Sequence, residues 1–94
     1  MQPDELTIAN FQKHIRDQYE KVDRERGTPK TFLWFIEEVG ELATALNGDD
    51  RANLEEEFAD VVAWLCTLAN INDVDLASVI AKKYLGDHKP KGHK

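Results

Sequence analysis

The sequence predicts an all-α protein with a four-helix, bundle-like architecture. Three observations carry that expectation. Apolar residues recur at three- and four-residue spacing through four runs, and clusters of Gly, Pro, Asn and Asp at 27–29, 47–50 and 70–75 separate them. No segment alternates with period two for long enough to make a strand. Ninety-four residues suit one domain rather than two, so residues 1–94 read as a single domain. A composition 41% hydrophobic and 32% charged excludes disordered and fibrous classes.

The first helix is expected from about Asp4 to Arg26, with Leu6, Ile8, Phe11, Ile15, Tyr19 and Val22 at helical spacing. Gly27 stops it as a C′ residue, and Thr28-Pro29 opens the second, since proline suits a first helical turn. The second helix reaches about Asn47, with an apolar stripe of Phe32, Phe35, Ile36, Val39, Leu42, Ala43 and Leu46. Asn47-Gly48-Asp49-Asp50 makes the turn, where glycine can adopt the left-handed conformation and an aspartate can cap the next helix. The third helix spans about Arg51 to Ala69, with Leu54, Phe58, Val61, Val62, Leu65 and Leu68 facing inward. Either Asp73 or Asp75 caps the fourth, which runs to about Tyr84 and ends near Gly86.

Net charge is −6, which argues against general affinity for nucleic-acid backbones. From Lys82 to the end there are five lysines against Asp87 alone, so the chain reads as an acidic body with a basic tail. The tail, about 87–94, is expected to be flexible, and His88 and His93 within it are too sparse to argue for a metal clip. Cys66 is the single cysteine and lies in an apolar run, so it reads as a buried, inert thiol. The N-terminus lacks a basic segment followed by an apolar one, and no stretch approaches the roughly 20 apolar residues of a membrane span. The expected location is therefore cytoplasmic, with no membrane partner.

Chemistry concentrates on helices two and three. Each carries two carboxylates three residues apart, Glu38 with Glu41 and Glu57 with Asp60. Such a pair shares one helix face, about 60° apart in projection and roughly 4.5 Å apart along the axis. A helical hairpin folding about Asp49 sets Glu38 opposite Asp60 and Glu41 opposite Glu57. The acids border the apolar stripes rather than pointing squarely away from them. Four carboxylates at a partly buried edge repel one another and raise each other's pKa unless a cation neutralises them. An all-oxygen donor set favours a hard ion, Mg²⁺ with Mn²⁺ as the alternative. Di-iron bundles need Glu-x-x-His pairs, and this sequence has none. The competing reading is that these acids merely solvate helix faces.

Glu37-Glu38-Val39-Gly40-Glu41-Leu42, followed by Glu57-Phe58-Ala59-Asp60, resembles the Glu-Glu-x-x-Glu … Glu-x-x-Asp signature of MazG-like nucleotide pyrophosphohydrolases. The resemblance covers about residues 28–84. It implies hydrolysis of a nucleoside triphosphate to the monophosphate and pyrophosphate, with Mg²⁺ held by Glu38, Glu41, Glu57 and Asp60. Glu37 matches the first Glu of the signature and would activate or orient the attacking water, or else stand as a solvated acid. Lys82 and Lys83 end the fourth helix, where the family places basic substrate contacts. Lys30 is a further candidate phosphate contact, and each lysine also suits a plain surface position. Trp34, like Trp64, could stack on a base, while aromatic packing beside core residues is the plainer reading of both. After the fourth helix the match thins, because Tyr84-Leu85-Gly86-Asp87-His88 stands where many relatives carry an asparagine or arginine. The resemblance also implies a homodimer or homotetramer and a role in nucleotide-pool sanitation. Two other readings remain open from sequence: a non-catalytic helical adaptor, and a phosphohydrolase that releases orthophosphate.

Overall fold

A computed structural model describes residues 1–86. Its order is a single 3₁₀ turn at Pro3–Glu5, then α1 (Ile8–Arg26), α2 (Thr28–Leu46), α3 (Arg51–Ile71) and α4 (Leu76–Tyr84). No strand occurs among the described residues, so the all-α expectation holds. The basic tail, with His88 and His93, lies outside them.

The first helix starts later than expected. Pro3-Asp4-Glu5 closes only one 3₁₀ turn and Leu6 is extended. Thr7 then caps α1: its hydroxyl accepts from the Asn10 N–H at 3.0 Å, and the Asn10 side chain accepts from the Thr7 N–H at 3.0 Å. That reciprocal cap satisfies two amides and sets the boundary.

Gly27 alone joins α1 to α2. Its φ of 83° lies in the left-handed region that glycine adopts without a side-chain clash. Its N–H donates to Asp23 O and its carbonyl accepts from Thr31 N–H, so the backbone is continuous in hydrogen bonding through a sharp corner. The α2–α3 turn works differently from expectation. No residue there is left-handed, Gly48 included, and the chain closes through Asn47 N–H to Thr44 O and Gly48 N–H to Ala45 O. Asp50 then caps α3 through the Asn53 N–H at 3.1 Å. At the α3–α4 turn Asp75 is the cap, accepting from Ser78 N–H at 3.3 Å. Asp73 instead takes the left-handed turn position at φ 56° and accepts from Arg24 at 2.7 Å.

Helix α3 is the centre of the packing. It runs against both α2 and α1, while α4 rests on α1. A buried polar knot ties three of these elements. Gln12 on α1 donates to Asn70 Oδ1 (3.0 Å) and Val74 O (2.7 Å) and accepts from Leu76 N–H (3.0 Å). Asn70 returns a bond to Gln12 O at 3.2 Å. Fully paired polar groups of this kind specify one arrangement of helices.

The apolar stripes face otherwise than expected. Among the described residues the buried apolar side chains are Ile15, Ala45, Cys66 and Ala69, mostly small. The inward row of α2 is Thr31, Phe35, Glu38, Leu42 and Ala45. Phe32, Ile36, Val39 and Leu46 on α2, with Phe58, Val62 and Leu65 on α3, are exposed. The physical reason is that α1 covers only one side of the α2–α3 hairpin. The remaining stripe is an apolar surface without cover from the described residues. Cys66 is fully buried, and burial pushes its thiol pKa up, as an inert thiol requires.

Candidate active site

The hairpin brings Glu38 and Glu41 of α2 to Glu57 of α3, with one carboxylate oxygen from each within 4.8 Å of the others. Glu38 and Glu57 are half-buried, and Glu41 is exposed. Asp60 is exposed and stands outside this three-oxygen group, although its charge acts on both Glu38 and Glu57. The antiparallel pairing of Glu41 with Glu57 therefore holds. Glu57 also reaches Glu38, one helical turn further along α2, so that Asp60 lies at the edge.

Electrostatics mark the cluster as an unfavourable one for free carboxylates. Burial, then the charges of Glu41, Asp60 and Glu57, push the Glu38 carboxyl from 4.5 up to about 7. Burial first, then Glu41, raises Glu57 as well. Glu38 Oε2 and Glu57 Oε2 are buried and have no hydrogen-bond partner among the described residues. Unpartnered buried carboxyl oxygens on two residues of one cluster are atoms that a hard divalent cation would satisfy. The donor set is all oxygen, drawn from both arms of the hairpin, which is the kind of set a hard ion such as Mg²⁺ takes.

An open cleft of about 640 Å³ borders the cluster, lined by Glu37, Gly40, Glu41, Thr44, Asn53 and Glu57. Glu37 thus shares a cleft with two of the clustered acids, despite its 100° rotation from Glu38. Gly40 has nothing within 4 Å of where a Cβ would stand, which keeps that wall open. Asn53 and Thr44 escaped the sequence reading. Their positions could have revealed them: Asn53 precedes Glu57 by four residues and Thr44 follows Glu41 by three, so each shares a face with an acid.

The remaining candidates do not line that cleft. Trp34 meets Trp64 edge to face at 5.6 Å. The Arg26 guanidinium sits 4.9 Å from the Trp34 ring centre and 5.0 Å from that of Trp64, and the Lys30 ammonium lies 5.3 Å from Trp34. Lys82 and Lys83 close α4, which leans on α1 rather than on the acid-bearing hairpin, and Lys83 rests on Tyr84. Arg26 also went unremarked in the sequence. It pairs with buried Asp23 at 2.6 Å and donates to Thr31 Oγ1 at 2.9 Å.

A helical hairpin presenting convergent acids from both arms defines an all-α, carboxylate-bearing class of protein. The sequence model of the MazG nucleotide pyrophosphohydrolase domain matches residues 27–89, well over half of the chain, and the protein belongs to that family. No individual curated protein matches it closely. Membership brings an expectation of nucleotide substrates and divalent-metal chemistry. No helix among the described residues is long and apolar enough to cross a membrane.

Proposed function

We propose that this protein is a Mg²⁺-dependent nucleoside triphosphate pyrophosphohydrolase, converting NTP or dNTP and water to the monophosphate and pyrophosphate. The observation that carries the reading is the pair of orphaned, buried oxygens on Glu38 and Glu57 beside Glu41. Glu38, Glu41, Glu57 and Asp60 would hold the metal. The ion, when bound, neutralises triphosphate charge and lowers the pKa of a coordinated water.

The chain's own residues supply the rest. Glu37, facing the cleft from beside Glu41, takes the proton of the attacking water. Half-burial of Glu38 and Glu57 would limit solvent competition for a bound ion. Lys30, Lys82 and Lys83 are the proposed cationic contacts for the departing pyrophosphate, as point charges.

Self-association belongs to the same proposal, as a homodimer or homotetramer. The exposed stripe of Phe32, Ile36, Val39, Phe58, Val62 and Leu65 supports it, because so many large apolar side chains on one hairpin form an association surface. A small core points the same way, since short chains bury too little on their own. Nucleotide-pool sanitation is the proposed biological role, on family grounds.

The test is incubation with Mg²⁺ and each common NTP and dNTP, with chromatographic identification of products. Monophosphate plus pyrophosphate is expected. Diphosphate plus orthophosphate would refute the regiochemistry, and no turnover would refute the enzyme.

A further inference from the structure

Of the six residues that line the cleft of about 640 Å³, Glu41 and Glu57 also belong to the three-oxygen group. Cleft and cluster are therefore one continuous space. Glu37 adds a third carboxylate to the lining, and Gly40 adds no side chain. That leaves Thr44 and Asn53. Ionised carboxylates only accept hydrogen bonds, so these two are the side chains of the lining that can donate one. Among the described residues no lysine or arginine lines the cleft.

The two donors stand one on each arm of the hairpin, both on the turn side of the acids. Thr44 follows Glu41 by three residues, roughly 4.5 Å along α2, and Asn53 precedes Glu57 by four, roughly 6 Å along α3. Both are exposed, and neither side chain hydrogen-bonds to protein among the described residues. Their neighbours engage the backbone instead: Asn53 N–H donates to Asp50 Oδ1 at 3.1 Å, and Thr44 O accepts from Asn47 N–H at 3.1 Å. Asn53 also lies in the first turn of α3, where the positive end of the helix dipole favours an anion.

We propose that Thr44 and Asn53 receive the terminal phosphates of the substrate, the two that depart as pyrophosphate. The proposal rests on the reading of the cluster as a nucleoside triphosphate site. From the phosphorus under attack, one side of the substrate continues to the sugar and base and the other to the terminal phosphates. The cleft lining has no aromatic ring and no large apolar side chain, so it suits the phosphate side and not the base. Non-bridging phosphate oxygens are acceptors, and the carboxylates around them offer no donor. The hydroxyl of Thr44 and the amide of Asn53 supply one each, as contacts on the hairpin side of the departing group.

Titration calorimetry of the full chain tests this, first with Mg²⁺ alone and then with inorganic pyrophosphate at saturating Mg²⁺. Asn53→Leu and Thr44→Val each remove one donor at an exposed position and leave the backbone hydrogen bonds in place. Each should weaken pyrophosphate about tenfold, the loss of one hydrogen bond to a charged group, with Mg²⁺ affinity unchanged. Asn53→Gln keeps an amide donor and should lose less than Asn53→Leu. In NTP hydrolysis the same losses should appear as a higher KM at nearly constant kcat.

Wild-type pyrophosphate affinity in both variants overturns the proposal, and so does a wild type that binds no pyrophosphate. A matching loss of Mg²⁺ affinity, or a fall in kcat at constant KM, would assign the two residues to the metal or to the reacting atoms and overturn it as well. Weakened pyrophosphate binding in the variants of a protein that hydrolyses nothing would support the phosphate contacts while overturning the hydrolase reading. Hydrolysis to monophosphate and pyrophosphate that neither variant alters would overturn the phosphate contacts alone.

Discussion

Glu38→Gln in the metal-free protein should stabilise the fold at neutral pH, even though it removes a proposed ligand. The Glu38 carboxyl stands at about 7 in the folded chain against an ordinary 4.5. The folded state therefore holds this proton more tightly than the unfolded one. That contribution is complete below about pH 4.5 and is lost as the pH rises through about 7. At roughly 1.4 kcal/mol per pH unit, the whole shift would amount to about 3 kcal/mol. Glu38 is only half-buried, and solvent screening brings this to about 1–2 kcal/mol. For a domain of this length that is a fall of roughly 5–10 °C in Tm between pH 5 and pH 8. The assay is thermal unfolding by circular dichroism in chelator, at steps of pH, for the wild type and Glu38→Gln side by side. The wild-type curve should fall relative to the variant as pH rises. Parallel curves, or a wild type that gains on the variant, would refute the electrostatic account of the cluster.

Three further outcomes follow from the same geometry. Mg²⁺ at about 100 times its Kd should stabilise the wild type by roughly 2.7 kcal/mol, and Glu57→Gln should lose most of that gain; an equal gain in both places the ion elsewhere. Asp60→Asn should lower kcat by at least about tenfold with unchanged helical content, and full activity would remove Asp60 from the site. Phe58→Glu with Val62→Glu, one turn apart on the exposed side of α3, should yield monomers in sedimentation velocity, whereas an unchanged oligomer would assign association to another surface.

Much of this architecture is legible in the sequence alone. The turns are, because Gly27 with Pro29 and the clusters at 47–50 and 70–75 mark where helical backbone stops, although α3 runs on to Ile71 instead of ending near Ala69. The convergence of Glu41 and Glu57 followed from antiparallel pairing about the α2–α3 turn, and Glu38 joined them on the same face. The start of α1 was not legible, since Leu6 fits a helical stripe while the Thr7–Asn10 cap overrides it. Nor was the inward face of α2. Periodicity shows which residues share a face, but Phe32 and Ile36 satisfy it as well as Phe35 and Leu42 do. Only the position of α1 across the hairpin decides which row it covers. The pairing of Asp23 with Arg26 is invisible in the sequence for a related reason: each is an ordinary charged residue near a helix end until the fold sets the guanidinium over Trp34 and Trp64.

The central claim is that the hairpin acids direct water to the α-phosphorus of a nucleoside triphosphate. Hydrolysis in ¹⁸O-labelled water with Mg²⁺, followed by mass spectrometry of the separated products, tests it at the bond that breaks. The label should appear in the nucleoside monophosphate and be absent from pyrophosphate. Label in pyrophosphate or orthophosphate would mean attack at another phosphorus, and the assignment of chemistry to this site would fall.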